Sequence, residues 1–424
     1  MSLESIIFHI DVNSAFLSWE AAYQVNELGA SLDIRDIPSI IGGSQENRHG
    51  IVLAKSSPAK KYHIQTGEPV ASARKKCPGL TIVPPNYPLY VDSSRRFIEY
   101  LKKFTPDVEP YSIDEVFCDF TGMAKLYGSP IAFAHQLKDL IKKDLGFTVN
   151  IGVSHNRLLA KMASDFEKPD KVHTLFPEEI PLKMWPLDIR DLFFVGHASE
   201  KKLRTLGIHT IGELAHADKT FLTYHLKKHG ELIWDYANGI DHGQISKETP
   251  VANKGYGNST TISFDVTDPQ TAKMVLLSLC ETVGTRLRND RAFISVVSIS
   301  ITDHDFHHGS HQRQLLSPTN VTSKIYEIAC ELFDEYWDHT PIRQLGVQTS
   351  RATNVPAIQI NLFDTDKYDK LAKLDQAIDT IRTKYGEDSV KRARFLEHEQ
   401  PHMAGGLHKS KRTGITKGVT PDSY

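Results

Sequence analysis

Three acidic residues carry the first chemical signal. Asp11 closes the apolar run Ile6 to Ile10, and the adjacent pair Asp114 and Glu115 sits between two strand-like runs in "DVEPYSIDEVFCDFTG". Neighbouring residues of a regular strand point to opposite faces, so Asp114 and Glu115 share one ligand only where a strand ends or bends. Carboxylates gathered at one sheet edge repel each other, and oxygen-ligated Mg²⁺ relieves that repulsion, usually with help from substrate phosphates. Two such ions about 4 Å apart activate an attacking hydroxyl and stabilise a leaving oxygen in line. The chemistry indicated is phosphoryl transfer. A helix that starts at Asn13-Ser14 directs unpaired backbone amides at an anion such as a triphosphate, and Phe16 in its first turn falls near the sugar. Taken singly, a strand-end Asp is more often a helix cap and a Phe more often a core residue. The weight lies on their combination.

The elements that must hold these residues follow from periodicity. Ile6 to Ile10 reads as a buried central strand, and Ala15 to Leu28 as a helix stopped by Gly29. The glycine- and proline-containing stretch from Asp36 to Pro69 reads as a small separate lobe. "PIAFAHQLKDLIKKDLG" is amphipathic, with Ile131, Phe133, Ala134, Leu137, Leu140 and Ile141 on its apolar face. "TVNIGVSHNRLLAKMASD" reads as strand, turn and helix. This order implies an α+β sheet with helices on one face. In "FFVGHASEKKLRTLGIHTIGELA" two short helices flank "LGIHT", and Thr210 with Glu213 has capping-box spacing, a helix-hairpin-helix pattern. The polar segment from Asp241 to Lys254 reads as a linker. Beyond it, "TTISF" and "ISVVSISIT" alternate as strands, while "TAKMVLLSLCETVGTRLRN" and "VTSKIYEIACELFDEYWDH" read as helices. The second helix places Ile325, Ile328, Leu332 and Tyr336 on an apolar stripe. Its acidic face, Glu327, Glu331, Glu335 and Asp338, is expected to point to solvent. Arg286, Arg288, Arg291 and Arg313 lie elsewhere and are expected to face a polyanion. A further helix is expected around Lys367 to Tyr385, then a basic, disordered tail.

Composition narrows the class. A chain of 424 residues, 40% hydrophobic and 24% charged, forms several cores, here three or four domains. Cys77, Cys118, Cys280 and Cys330 are widely spaced and form no CxxC pair, which argues against a zinc ribbon or disulfide framework. No apolar run reaches the roughly 18 residues of a membrane span, and no signal peptide is visible, so a soluble cytoplasmic protein is expected.

The ordered motifs "DVNSAF", "AKKYHIQTGEP", "CPGL", "YSIDEVFCDF", "GVSHNRLLAKMASDFEKPD", "LGIHTIGELA" and "IRQLGV" resemble the Y-family translesion DNA polymerases, in particular the bacterial polymerase IV and polymerase V branch, over about residues 5–350. The resemblance implies a multidomain right hand. Its palm is residues 1–15 and 81–176, its fingers 16–80, its helix-hairpin-helix thumb 177–241 and its linker 242–254; the α/β little finger is 255–355 and the tail 356–424. It implies that Asp11, Asp114 and Glu115, with the Val12 carbonyl, bind two Mg²⁺ ions. Phe16 falls on the steric gate against a ribose 2′-OH. Asn13, Ser14, Ala15, Ser57, Lys60 and Lys168 fall around the incoming nucleotide. Lys201, Lys202 and Arg204 would hold duplex backbone. "QINLF", with Gln359, Leu362 and Phe363, resembles the peptide that docks into the sliding clamp. The implied activity is template-directed, low-fidelity DNA synthesis past damage, by a monomer whose partners are primer-template DNA, deoxynucleoside triphosphates and the clamp.

Two departures stand out. Ser57 occupies the place of a common triphosphate-binding Tyr, and Lys60 that of an Arg, so a planar contact becomes a point charge. Ala198 stands where a glycine is usual and is expected to weaken one backbone contact if positive φ is required. His304, His307, His308 and His311 read either as a transition-metal cluster or as a solvated hairpin tip. A metal-dependent nucleotidyl cyclase or nuclease on a similar sheet, and a catalytically silent DNA-binding scaffold, are the rival classes.

Overall fold

The computed structural model describes residues 5–43, 50–241, 243, 253–354, 365–396 and 402–404. Strand β1 (Ile7–Val12) is buried at every position and is followed at once by helix α1 (Ala15–Asn26). Gly29, with φ +68°, turns the chain away shortly after the helix ends. The small lobe then forms a sheet of its own from β2 (Ser39–Gly42), β3 (Val52–Lys55) and β4 (Thr81–Val83), with the short helices α2 (Ser57–Lys60) and α3 (Val70–Lys76). Its separate apolar cluster includes Ile40, Val52, Ala59, Ile64 and Val70.

The chain returns through α4 (Tyr87–Leu101) to β5 (Val108–Pro110) and β6 (Glu115–Asp119). It then runs through α5 (Ala124–Tyr127), α6 (Pro130–Leu145), β7 (Val149–Ser154), α7 (Arg157–Asp165) and β8 (Val172–Thr174). These strands build a five-stranded sheet in the order β5-β6-β1-β7-β8. β1 is paired on both edges and buried on both faces, so its run is mostly apolar rather than alternating, with His9 and Asp11 its buried polar positions. Leu17, Trp19 and Ala21 of α1 share one core with Phe8, Ile10, Phe97, Leu137 and Ile151. Helix α1, expected with the fingers, therefore packs with the palm sheet.

A helical region follows, from α8 (Ile180–Lys183) and α9 (His197–Thr205) through α10 (Ile211–His216) to α11 (Lys219–Leu226) and α12 (Lys228–Ala237). The hairpin between α9 and α10 turns at Gly207, φ +81°, and closes with the expected reciprocal cap. The Glu213 amide donates to Thr210 Oγ1 and the Thr210 amide to a Glu213 carboxylate oxygen, both at 3.1 Å.

The last unit contains β9 (Gly255–Val266), α13 (Pro269–Asn289), β10 (Ile294–Asp303), β11 (His308–Thr319), α14 (Thr322–Tyr336) and β12 (Ile342–Ser350). Its sheet order is β11-β10-β12-β9, and α13 and α14 pack on one face around Leu276, Leu279, Ile299, Ile325, Leu332 and Val347. The acidic face of α14 is exposed as expected, with the Glu331 and Glu335 side chains 47% and 51% exposed, and it is also paired. Arg313 of β11 pairs with both Glu331 and Glu335, and Tyr336 is 42% exposed, stacked on His311 at 5.8 Å. Arg313 on the edge strand lies beside α14, so the acidic row and a sequence-distant arginine meet.

Helix α15 (Thr365–Tyr385) and the segment after it dock back onto this unit. Glu281 of α13 is buried against Arg382 at 2.7 Å and also pairs with Arg392. Arg288 binds Asp379 at 2.5 Å and Asp375 at 3.2 Å. Ala404 enters the core, its amide donating to Ser278 Oγ at 2.7 Å. Arg288, expected to face a polyanion, is instead an internal anchor for α15. Breaking a buried pair leaves an unpaired charge, so Arg382→Ala is expected to cost about 3–5 kcal/mol of stability in urea denaturation. Replacing Glu281 and Arg382 together by Leu should recover most of that loss.

Candidate active site

The register of the five-stranded sheet brings the sequence-distant carboxylates together. Asp11 lies directly across from Glu115 in the β1–β6 ladder, and the Val12 amide donates to the Asp114 carbonyl at 3.0 Å. Glu115 is the first residue of β6, so Asp114 stands in the bend just before the strand. That strand end frees the adjacent pair from pointing to opposite faces. Ser112 Oγ donates to Asp114 at 2.7 Å and orients its carboxylate.

Two lysines from the strand-turn-helix unit answer the negative charge. Lys168 lies 3.1 Å from Asp11 and 2.8 Å from Asp165. Lys161 lies 2.7 Å from Glu115, and its ammonium faces the rings of Phe193 at 5.6 Å and Tyr111 at 5.9 Å. Lys161 was missed from the sequence. Lys161 and Asp165 lie on α7 and Lys168 in the turn after it, and only the sheet register shows which acids they meet. Helix α7, which carries Lys161 and Asp165, lies almost against the sheet: a Cβ at Gly152 would meet the Ala160 carbonyl at 1.9 Å.

Electrostatics records the crowding. Burial, then the charges of Glu115 and Asp114, raise Asp11 to about 7 although Lys168 opposes them. Burial likewise raises the Asp114 carboxyl, with the Ser112 hydrogen bond opposing. Burial draws Lys161 down, but Asp165 and Glu115 overcome it and leave the ammonium raised. Three hard oxygen donors with excess negative charge fit a divalent cation. Among the described residues no three His, Cys, Asp or Glu side chains form a closed metal cage, and the lysines hold two of the carboxylates.

The other expected site residues divide. Ser14 begins α1 in the left-handed region, φ 49°, and makes no side-chain cap, so its hydroxyl does not cover the first-turn amides. Asn13 is turned inward, where its amide bonds Asn150 at 3.1 Å and accepts from the Asp170 amide at 2.9 Å; its side chain braces the site. Ala15 is buried, and Phe16 is half-buried against Tyr90. Ser57 and Lys60 stand exposed on α2. Lys201 and Lys202 are exposed on α9, whereas Arg204 binds Asp188 at 2.7 Å and Glu200 at 3.1 Å. Arg286 donates to the Gly257 carbonyl at 3.0 Å, and Arg291 is exposed. Ala198 lies within α9 and outside the positive-φ residues, so the strain expected there does not arise. The histidines separate onto Asp305, Asp303, Thr302 and Glu335 rather than onto one another. Gln359, Leu362 and Phe363 lie outside the described residues.

A palm sheet with clustered carboxylates, a small lobe beside it, a helix-hairpin-helix region and a second α/β unit together define a nucleotidyl-transfer class of enzyme. Residues 10–165 match the impB/mucB/samB family, residues 177–208 the IMS family HHH motif, and residues 253–362 the impB/mucB/samB family C-terminal domain. The chain is 46% identical to a DNA polymerase IV of Clostridium acetobutylicum over 94% of its own length and 100% of that protein. It is 34% identical to DNA polymerase IV 2 of Bacillus subtilis over 96% of its length and 100% of that protein. A solved Y-family DNA polymerase chimera superimposes with a TM-score of 0.67 at 21% identity, covering 84% of this chain and 100% of the chimera. The chain belongs to the Y-family of DNA polymerases. No helix among the described residues is long and apolar enough to cross a membrane.

Because Asp11 titrates near 7 when folded against an ordinary 3.8, the folded state binds the extra proton between those values. Its contribution to stability therefore falls as pH rises from about 4 through 7 and is level above. In chelator, the melting temperature of Asp11→Asn should lack this decline, read by calorimetry from pH 5 to 8. Divalent-ion affinity of the parent protein should rise about tenfold per pH unit as pH increases toward 7 and level off above it, as one proton is displaced.

Proposed function

We propose that this chain is a template-directed DNA polymerase that adds deoxynucleotides to a primer 3′-OH and copies past damaged bases with low fidelity, acting as a cytoplasmic monomer. The observation that carries the reading is the pairing of Asp11 with Glu115 across β1 and β6, with Asp114 at the strand end, in a chain of this family. Asp11, Asp114, Glu115 and the Val12 carbonyl are the groups that would hold two Mg²⁺ ions. When bound, such ions supply an activated hydroxyl and neutralise charge on the leaving oxygen.

The remaining work falls to side chains and backbone. Lys168 is placed to exchange a carboxylate partner for a phosphate oxygen, and Lys161 keeps Glu115 in place. The first turn of α1, uncapped by Ser14, offers backbone amides to the triphosphate. Lys60 and Ser57 contribute a point charge and a hydroxyl from the fingers. Phe16 fills the space a ribose 2′-OH would need. Lys201 and Lys202 of the hairpin hold duplex phosphates without reading bases, and Arg286 and Arg291 extend that contact from the little finger. Gln359, Leu362 and Phe363 dock the enzyme on a sliding clamp, a reading supported by the motif and its place after the little finger.

Asp114→Asn or Glu115→Gln is expected to lower primer extension at least a thousandfold while primer-template affinity stays within a few-fold, on the scale of lost electrostatic stabilisation of a transition state (about 10³). Extension by either variant at the parent rate would remove the metal assignment. Gln359→Ala with Leu362→Ala and Phe363→Ala should abolish stimulation by the clamp and leave extension on short templates unchanged.

A further inference from the structure

Phe16 does not stand alone. Its ring stacks on Tyr90 with centroids 4.5 Å apart and planes 9° apart, Tyr87 meets it edge-on at 6.3 Å, and Trp19 lies tilted at 6.2 Å. Tyr87 and Tyr90 come from α4, so the stacked and edge-on rings are supplied by a separate element, while Trp19 belongs to the helix that carries Phe16. Tyr90 is wholly buried, so the ring behind Phe16 cannot withdraw into solvent.

A ring rejects a hydroxyl only as strongly as it resists being pushed aside. Moving Phe16 away from Tyr90 forfeits the stack, and aromatic pairs add stabilisation beyond their buried area. The Tyr90 phenol lies buried beside the Glu20 carboxylate. Burial and the neighbouring Glu20 carboxylate keep the Tyr90 phenol protonated.

We propose that Tyr90, with Tyr87 at its side, is a positioning residue for sugar selection: it fixes the Phe16 ring against the ribose 2′-OH and thereby sets how strongly ribonucleotides are rejected. The inference rests on the reading of Phe16 as the gate. A deoxynucleotide does not press on the ring, so loosening the backing acts on ribonucleotides selectively.

The test is single-nucleotide insertion of dCTP and CTP opposite template guanine by the full chain, comparing kcat/KM for the two sugars. Tyr90→Leu is expected to lower the deoxy-to-ribo ratio roughly five- to tenfold, through faster CTP insertion with dCTP within a few-fold of the parent. Tyr90→Phe keeps the ring and should keep the parent ratio; an equal fall there would assign the effect to the hydroxyl and overturn the proposal. Phe16→Ala should relax the ratio by itself, and adding Tyr90→Leu to it should change nothing further. A parent-like ratio in Tyr90→Leu, or an additive effect in the double variant, overturns the role of Tyr90 and leaves the gate standing. An unchanged ratio in Phe16→Ala removes the gate and this inference together. Should circular dichroism show that Tyr90→Leu does not fold, half-buried Tyr87→Ala replaces it, with a fall of about two- to threefold expected and no fall overturning the proposal.

Discussion

Negative charge brought out of water needs an answer, and most of the palm is arranged around that need. Asp11 is buried beside Glu115, with Asp114 one hydrogen bond along the edge. In the protein as described, the answer is two ammonium groups on the α7 unit, each held by a second carboxylate at Asp165. Lysine suits this duty because its charge is compact and its stem flexible, so a partner can be exchanged without moving backbone. The result is a site that remains folded with its carboxylates in place and still retains affinity for further positive charge.

The strand that carries Asp11 could be read from residue order alone, because a strand buried on both faces is mostly apolar, and Ile6 to Ile10 is interrupted only by His9. The bend at Asp114 was also legible, since two adjacent acids have no other way to act together. The capping box at Thr210 and Glu213 was visible because it is a local exchange of two hydrogen bonds. Lys161 was not. Nothing local distinguishes a buried lysine on an amphipathic helix from a solvated one; its partner Glu115 lies 46 positions away and is reached only through the sheet register. The same limit hid the fate of Arg288 and Arg313. Both were legible as cations, but the acids that claim them, Asp379 and Glu331, come from helices whose docking depends on tertiary contacts.

These internal claims change the electrostatic picture of the C-terminal half. Arginines counted as surface charge from composition are spent on holding α15 and on bridging β11 to α14. The polar character of α15 follows from that docking, because its buried side meets the little finger through ion pairs as well as apolar contact. Side chains of Ser298, Ser300, Gln312 and Gln348 alternate with the buried residues of the same sheet, so the face away from α13 and α14 is rich in neutral hydrogen-bonding groups. Exposed positive charge outside that face includes Lys201 and Lys202 of the hairpin, Lys60 of the small lobe and Arg291.

At Gly152 the helix and the sheet meet main chain to main chain. A contact of that kind has no rotamers, so the gap between the lysine-bearing helix and the acid-bearing strands is a fixed dimension that does not breathe with side-chain motion. Apolar residues around it can be exchanged for others of similar bulk while the backbone spacing stays constant. At position 152 itself the choice is closed, because any larger residue would act as a shim and detune the whole centre.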